Sequence, residues 1–193
     1  MLQAPWKRSR KRACSRLKES DDFVMPHLRG YSALRRGRFS APGCVYFLTI
    51  CTADRAEALT YQDVSAAVRE EISRMSSDNV WHVQAFTLMP DHVHILAELG
   101  GSLSLSQTVA RLKAKTGAAL FARDAKWQVN YFDHRSAAGE SVLPILLYVY
   151  LNPYRKQLIK PSERWPWFYC RETEWSWFKD RLNDDLPEPA WLL

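Results

Sequence analysis

The stretch that decides the fold is Val80-Trp81-His82-Val83-Gln84-Ala85-Phe86-Thr87-Leu88-Met89-Pro90-Asp91-His92-Val93-His94-Ile95-Leu96-Ala97-Glu98-Leu99. Val80 to Leu88 is rich in β-branched and aromatic residues and reads as a strand. Met89-Pro90-Asp91 interrupts it, because proline lacks the N–H a sheet ladder needs and aspartate suits turn geometry. From His92 onward the chain alternates. Val93, Ile95, Ala97 and Leu99 make a core face, and His92, His94, Leu96 and Glu98 project to the other side. So short a link joins the two strands as an antiparallel hairpin.

Upstream, Val45-Tyr46-Phe47-Leu48-Thr49-Ile50-Cys51-Thr52 follows Pro42-Gly43 and reads as a largely buried strand. Between it and the hairpin, Val64, Val68, Ile72 and Met75 fall on one face of a helix from Gln62 to Met75, with Thr60 as N-cap. Downstream, Gly100-Gly101 breaks the strand, and Ser104 with Gln107 forms a capping-box pattern that starts a second helix. Leu105, Val109, Leu112, Thr116 and Leu120 mark its inner side. Trp127 to Arg135 reads as a strand or extended loop. Leu143 to Leu151 is a short apolar helix with Pro144 in its first turn, bent or ended by Pro153. The order is strand, helix, strand, strand, helix, extended segment, helix. The hairpin argues against a parallel sheet, so the expected fold is an α+β sandwich, a central antiparallel sheet with helices packed on it.

The chain has 193 residues and a net charge of +6, unevenly placed. Residues 1–38 hold eleven Lys/Arg against Glu19, Asp21 and Asp22, a net +8, which leaves residues 39–193 at −2. The basic run from Lys7 to Lys18 repels itself and stays solvated unless a polyanion binds it. No run approaches the roughly 18 apolar residues of a membrane helix. Cys14, Cys44, Cys51 and Cys170 show no CxxC pair or zinc spacing, and no apolar segment follows the basic start. Free thiols in a reducing cytosol are the expectation. With no glycine-rich phosphate loop and no HExxH motif, nucleotide-triphosphatase and zinc-protease readings are poor.

Three features can carry chemistry. His92 and His94 share one strand face, and two neutral imidazoles there can hold a divalent ion if a third ligand arrives from elsewhere. The plain alternative is two surface histidines on a half-exposed strand. Tyr148 and Asn152 lie one turn apart on a helix face, while Tyr150 is turned about 200° away. The alternative is that both tyrosines are core, with their hydroxyls bonded at its rim. Asp133-His134 is either an oriented histidine or a structural pair. Arg111 and Lys115 lie one turn apart on the outer side of their helix, where a solvated face is the simpler reading.

Together these segments resemble the single-tyrosine HUH transposases of the IS200-like family, above all the REP-associated tyrosine transposase branch. The resemblance rests on Val45–Thr49, Leu88–Ile95, Trp127–His134, Tyr148-Val149-Tyr150-Leu151-Asn152-Pro153 and Trp165-Pro166-Trp167, and spans residues 31–170. It implies a ferredoxin-like sandwich. It implies that His92, His94 and Asn152 bind Mg²⁺ or Mn²⁺. Tyr148 would attack a phosphate of single-stranded or hairpin DNA, leaving a covalent 5′-phosphotyrosine and a free 3′-hydroxyl. Asp133 and His134 would be accessory groups. Arg35, Arg36, Arg111 and Lys115 would grip phosphates, because a domain of net −2 cannot bind DNA through bulk charge. Where the family has a glycine-containing turn after Asn152-Pro153, this chain has Tyr154-Arg155-Lys156-Gln157. Where it has serine after Trp165-Pro166-Trp167, this chain has Phe168.

The expected organisation is a basic N-terminal arm over residues 1–30, an HUH transposase-like catalytic domain over 31–170, and a Trp-rich acidic tail over 171–193. The expected setting is the bacterial cytoplasm, at the nucleoid, with monomer and homodimer both open. The competing reading is a domesticated, non-catalytic nucleic-acid-binding protein of the same fold. The two part on geometry: catalysis requires Tyr148 and Asn152 to reach His92 and His94.

Overall fold

A computed structural model describes residues 40–178 except 138 and 161, together with 182–183 and 186–187. Arg35, Arg36, Cys14 and the basic arm lie outside the described residues. Strand β1 (Val45–Cys51) runs into a short 3-10 turn at Ala53–Arg55, then α1 (Gln62–Ser77). The hairpin follows as β2 (Trp81–Leu88) and β3 (His92–Leu99). Next come α2 (Leu105–Phe121), β4 (Phe132–Arg135), α3 (Leu143–Arg155), β5 (Phe168–Cys170) and α4 (Glu172–Phe178). The two-residue strands β6 (Leu182–Asn183) and β7 (Leu186–Pro187) pair with each other.

The main sheet has the order β4-β1-β3-β2-β5, and every neighbouring pair is antiparallel. The β1α1β2β3α2β4 part, with β1 and β3 central, is the expected ferredoxin-like arrangement. The alternation of β3 sorts its side chains as the sequence indicates. Val93, Ile95, Ala97 and Leu99 join the larger core, with Tyr46, Leu48 and Ile50 of β1 and the inner faces of α1 and α2. Leu96 joins a second core on the opposite face, with Phe47, Ala85 and the buried side of α3. Fully burying each such aliphatic side chain contributes about 1.5–3 kcal/mol, so α3 is held on the histidine face by its own apolar residues.

The capping box of α2 forms as expected: the Ser104 hydroxyl accepts from Gln107 N–H, and the Gln107 side chain accepts from Ser104 N–H. Three local details differ from the sequence expectation. Tyr61, not Thr60, is the N-cap of α1, because Tyr61 N–H bonds back to Ala58 and keeps Thr60 inside the preceding turn. Only Phe132–Arg135 of the segment 127–135 joins the sheet; Trp127 makes an isolated bridge to Thr52. Helix α3 continues two residues past Pro153. A proline that late forfeits one backbone bond, and the helix closes beyond it through Lys156 N–H to Asn152 C=O at 3.0 Å. Trp165 and Trp167 bracket the end of β2: the Trp165 indole donates to Leu88 C=O, and Leu88 N–H donates to Trp167 C=O.

Candidate active site

His92 and His94 leave β3 on the same side, and α3 lies across them. Their Nε2 atoms are 3.0 Å apart. His94 is 3 % exposed and Asn152 4 %. The Asn152 amide stands 3.1 Å from His94 Nε2. One turn earlier on α3, the half-buried Tyr148 ring meets the His94 ring edge-on, with centroids 5.2 Å apart. Phe47 stacks on His94 at 5.4 Å and meets Tyr148 at 5.7 Å. Tyr150 points elsewhere, into Tyr154, Phe168 and Trp175. The structure therefore brings His92, His94, Tyr148 and Asn152 together, all from one chain.

The remaining ring nitrogens are held from behind. His92 Nδ1 is 2.6 Å from Asp91 Oδ1, and His94 Nδ1 is 2.9 Å from Thr49 Oγ1, its cross-strand partner. Burial, outweighed by the bond and charge of His92 and by Arg55, leaves the Asp91 carboxyl below its usual range, so it accepts. His92 then carries its proton on Nδ1 and a lone pair on Nε2. Burial also lowers the pKa of His92, against the pull of Asp91. Burial, then the neighbouring His92 and Arg55, holds His94 well below the ordinary imidazole value. Both shifts favour the neutral rings. Where Asn152 donates to His94 Nε2, the two Nε2 lone pairs face each other with no proton between them.

That arrangement fits a divalent cation. At a metal–ligand distance of about 2.1 Å, adjacent octahedral corners lie about 3.0 Å apart, which is the spacing of the two Nε2 atoms and close to that of the amide. Turning the Asn152 amide over presents its oxygen at the same place. No group of three or more His, Cys, Asp or Glu side chains forms a metal cluster among the described residues. A third donor at this position would be the Asn152 amide.

A family model described as "Transposase IS200 like" matches residues 40–137. The chain belongs to the IS200-like transposase family. The ferredoxin-like sheet and the pair of histidines on β3 thus lie within the matched span, and α3 with Tyr148 and Asn152 follows it. Among solved structures, the chain is similar to a REP-associated tyrosine transposase bound to a REP hairpin. The identity is 22%, the match covers 68% of this chain and 79% of that one, and the TM-score is 0.56, which shows a shared fold. A proposed transposase from Deinococcus radiodurans R1 matches at 19% identity over 60% of this chain and 95% of that one, with a TM-score of 0.43. No curated protein matches the chain.

The other residues singled out in this IS200-like transposase lie elsewhere. His134 pairs across β1 with Phe47, on the face under α3, and its Nε2 is 3.6 Å from Glu140. Asp133 pairs with Leu48, so it faces the α1–α2 side. Phe132, not His134, shares the row of Thr49 and His94. Arg111 sits on the far layer, on α2, with Nε 3.0 Å from Glu71 and a second nitrogen on Asp78. Any phosphate there competes with two carboxylates. Lys115 is exposed on the same helix.

Sequence reasoning missed Thr49, Asp91 and Arg55. Asp91 was visible as the neighbour of His92. Thr49 was visible only once the β1–β3 register was known. Arg55 contacts Asp91 Oδ2 at 3.1 Å from a turn that carries no local signal. Among the described residues, no helix is long and apolar enough to cross a membrane.

Proposed function

We propose that this IS200-like transposase cleaves and rejoins single-stranded DNA through a covalent 5′-phosphotyrosine on Tyr148, at hairpin-forming repeats. One observation carries the reading: Tyr148 and Asn152, one turn apart on α3, both contact His94 of the His92–His94 pair. Their approach favours catalysis over a binding-only relative. The similarity to a REP-associated tyrosine transposase bound to a REP hairpin supports the choice of DNA.

In this reading His92 and His94, with the Asn152 amide, hold Mg²⁺ or Mn²⁺. When bound, the cation supplies positive charge against the developing phosphorane oxygens and fixes the phosphate's orientation. Tyr148 Oη forms the new phosphorus–oxygen bond as the bond to the 3′-oxygen breaks, and the phenol proton leaves to water while the 3′-oxygen is protonated. The second transesterification reverses these roles, with an incoming 3′-hydroxyl displacing Tyr148. The phosphodiester energy stays in the protein link, so no nucleotide triphosphate is consumed. Asp91 and Thr49 keep both imidazoles in the tautomer that offers Nε2.

Asp133 and His134 act as accessories at most, since His134 lies two strand spacings, about 10 Å, from β3. The arm over residues 1–30, including the basic run, adds salt-sensitive, sequence-blind affinity; Arg35, Arg36 and Lys115 contribute in the same way, and Arg111 only on leaving Glu71 and Asp78. His92, His94, Tyr148 and Asn152 come from one chain, so this reading needs none of them from a second copy, and monomer and homodimer both stay compatible with it. Cleavage at chromosomal repeats would take place at the bacterial nucleoid.

The test is an adduct assay. Wild type and Tyr148→Phe are incubated with Mn²⁺ and 5′- and 3′-labelled hairpin oligonucleotides from the organism's own repeats. A denaturation-resistant protein–DNA band with wild type only is expected. Absence of a Tyr148-dependent band on all such substrates sinks the catalytic claim.

A further inference from the structure

Two consecutive non-glycine residues, Asp54 (φ 53°) and Arg55 (φ 57°), occupy the left-handed region in the turn after β1. Aspartate enters that region with little penalty, but arginine has no such local compensation. Strain of this kind persists only where the surroundings impose it. Here they do. Thr52 N–H donates to Asp91 C=O at 2.9 Å, and the Thr52 hydroxyl shares its one hydrogen between Asp91 C=O at 2.9 Å and Ala56 C=O at 2.8 Å. Ala53 N–H bonds Lys126 C=O at 2.7 Å, and Leu59 N–H bonds Pro90 C=O at 2.9 Å. The turn is clamped onto the His92 end of the site from both sides.

The strained turn delivers one side chain. Arg55 Nη1 is 3.1 Å from Asp91 Oδ2, yet the side chain remains 63% exposed. An exposed ion pair of this sort contributes little to stability, and Asp91 already has His92 as a partner. Neutralising Asp91 is therefore a poor reason to force an arginine into a left-handed turn. A guanidinium has five donors in a planar fork, so one nitrogen on Asp91 leaves an outward edge suited to two phosphate oxygens. Lys156, exposed at the end of α3, is a second cation close enough to act on His92.

We propose that Arg55 binds a DNA phosphate flanking the His92 end of the site and that the left-handed turn holds it there. The proposal rests on the reading of the protein as a single-strand DNA transposase.

Arg55→Asn is the informative variant, because asparagine tolerates left-handed backbone and keeps the fold. Binding of a fluorescein-labelled single-stranded hairpin oligonucleotide is measured by anisotropy across a salt series, and Mn²⁺ affinity is measured without DNA by paramagnetic resonance. For Arg55→Asn the expected results are a melting temperature equal to or above wild type and Mn²⁺ affinity within about threefold. DNA affinity should fall about ten- to hundredfold, with the salt slope shallower by about 0.7. Arg55→Lys should recover part of the slope but not the full affinity. An unchanged slope with weakened Mn²⁺ binding overturns the proposal, since Arg55 would then act only through Asp91 on His92. Wild type that shows no salt-dependent binding to any hairpin oligonucleotide overturns the transposase reading along with it.

Discussion

The hydroxyl of Thr49 stands 2.9 Å from Nδ1 of His94, a residue 45 positions later and its direct cross-strand partner. With His94 Nδ1–H donating to it, Thr49 would hold the tautomer that offers Nε2 to the proposed cation, without touching that cation. Thr49→Val keeps the shape and removes the acceptor. It leaves a buried N–H unpaired, at a cost of about 1–3 kcal/mol of stability. Mn²⁺ affinity, measured by paramagnetic resonance, should fall about 10- to 100-fold. Unchanged affinity in a folded variant would show that the tautomer is set elsewhere.

The period-two pattern of β3 was readable because strand alternation needs no tertiary information. It separated Val93, Ile95, Ala97 and Leu99 from His92, His94 and Leu96 before any contact was known. The i, i+4 spacing put Tyr148 and Asn152 on one helix face for the same reason. What the chain alone left open was which face α3 covers. That depends on Leu146, Leu147, Val149 and Leu151 meeting Phe47, Ala85 and Leu96, a long-range match. Pro153 shows the limit of a local rule: the preference of the preceding residue against helix yields at Asn152, which is buried and bonded to His94. Arg111 looked like a solvated face and is instead a link from α2 to the buried Glu71 of α1. Beside Arg55 only Asp54 hints at a turn, and nothing marks Arg55 itself as left-handed.

Gly100 and Gly101 look equivalent in sequence but are not equivalent in space. A Cβ on Gly100 would lie 2.0 Å from Asn79 O and 2.9 Å from Val80 O, both backbone atoms that cannot rotate away. A Cβ on Gly101 meets nothing within 4 Å. Gly100→Ala should therefore destabilise by about 3 kcal/mol through overpacking, whereas Gly101→Ala should stay within about 0.5 kcal/mol of wild type. Urea midpoints of the two variants check this, and equal midpoints would contradict the close approach.

Lys113 joins α2 to the segment that leads into β4. Its Nζ donates to Gln128 C=O at 2.7 Å, Asn130 C=O at 3.0 Å and Val129 C=O at 3.2 Å. Three successive carbonyls are thereby satisfied by one ammonium. Lys113→Met keeps the apolar stem and removes all three bonds. The expected loss is about 2 kcal/mol, in the range for bonds to a charged group. Backbone amides over residues 128–132 should exchange faster while those of α1 stay protected, which hydrogen exchange resolves by segment.

Cys170 gives the structure a signature in alkaline solution. Burial, reinforced by Glu174, pushes its thiol from 9.0 up to about 12. The folded chain therefore keeps the thiol proton through a range in which the unfolded chain has released it. The sign follows directly: the contribution to stability is full below pH 9.0 and is lost as the pH rises towards about 12. Since only the thiolate reacts with iodoacetamide, labelling of Cys170 at pH 8.5 should be slow in the folded protein and fast in urea, as read by mass spectrometry of the peptide. Rapid labelling of the folded chain would mean that β5 and α4 do not shield the sulfur as the packing of Phe168 against Trp175 implies.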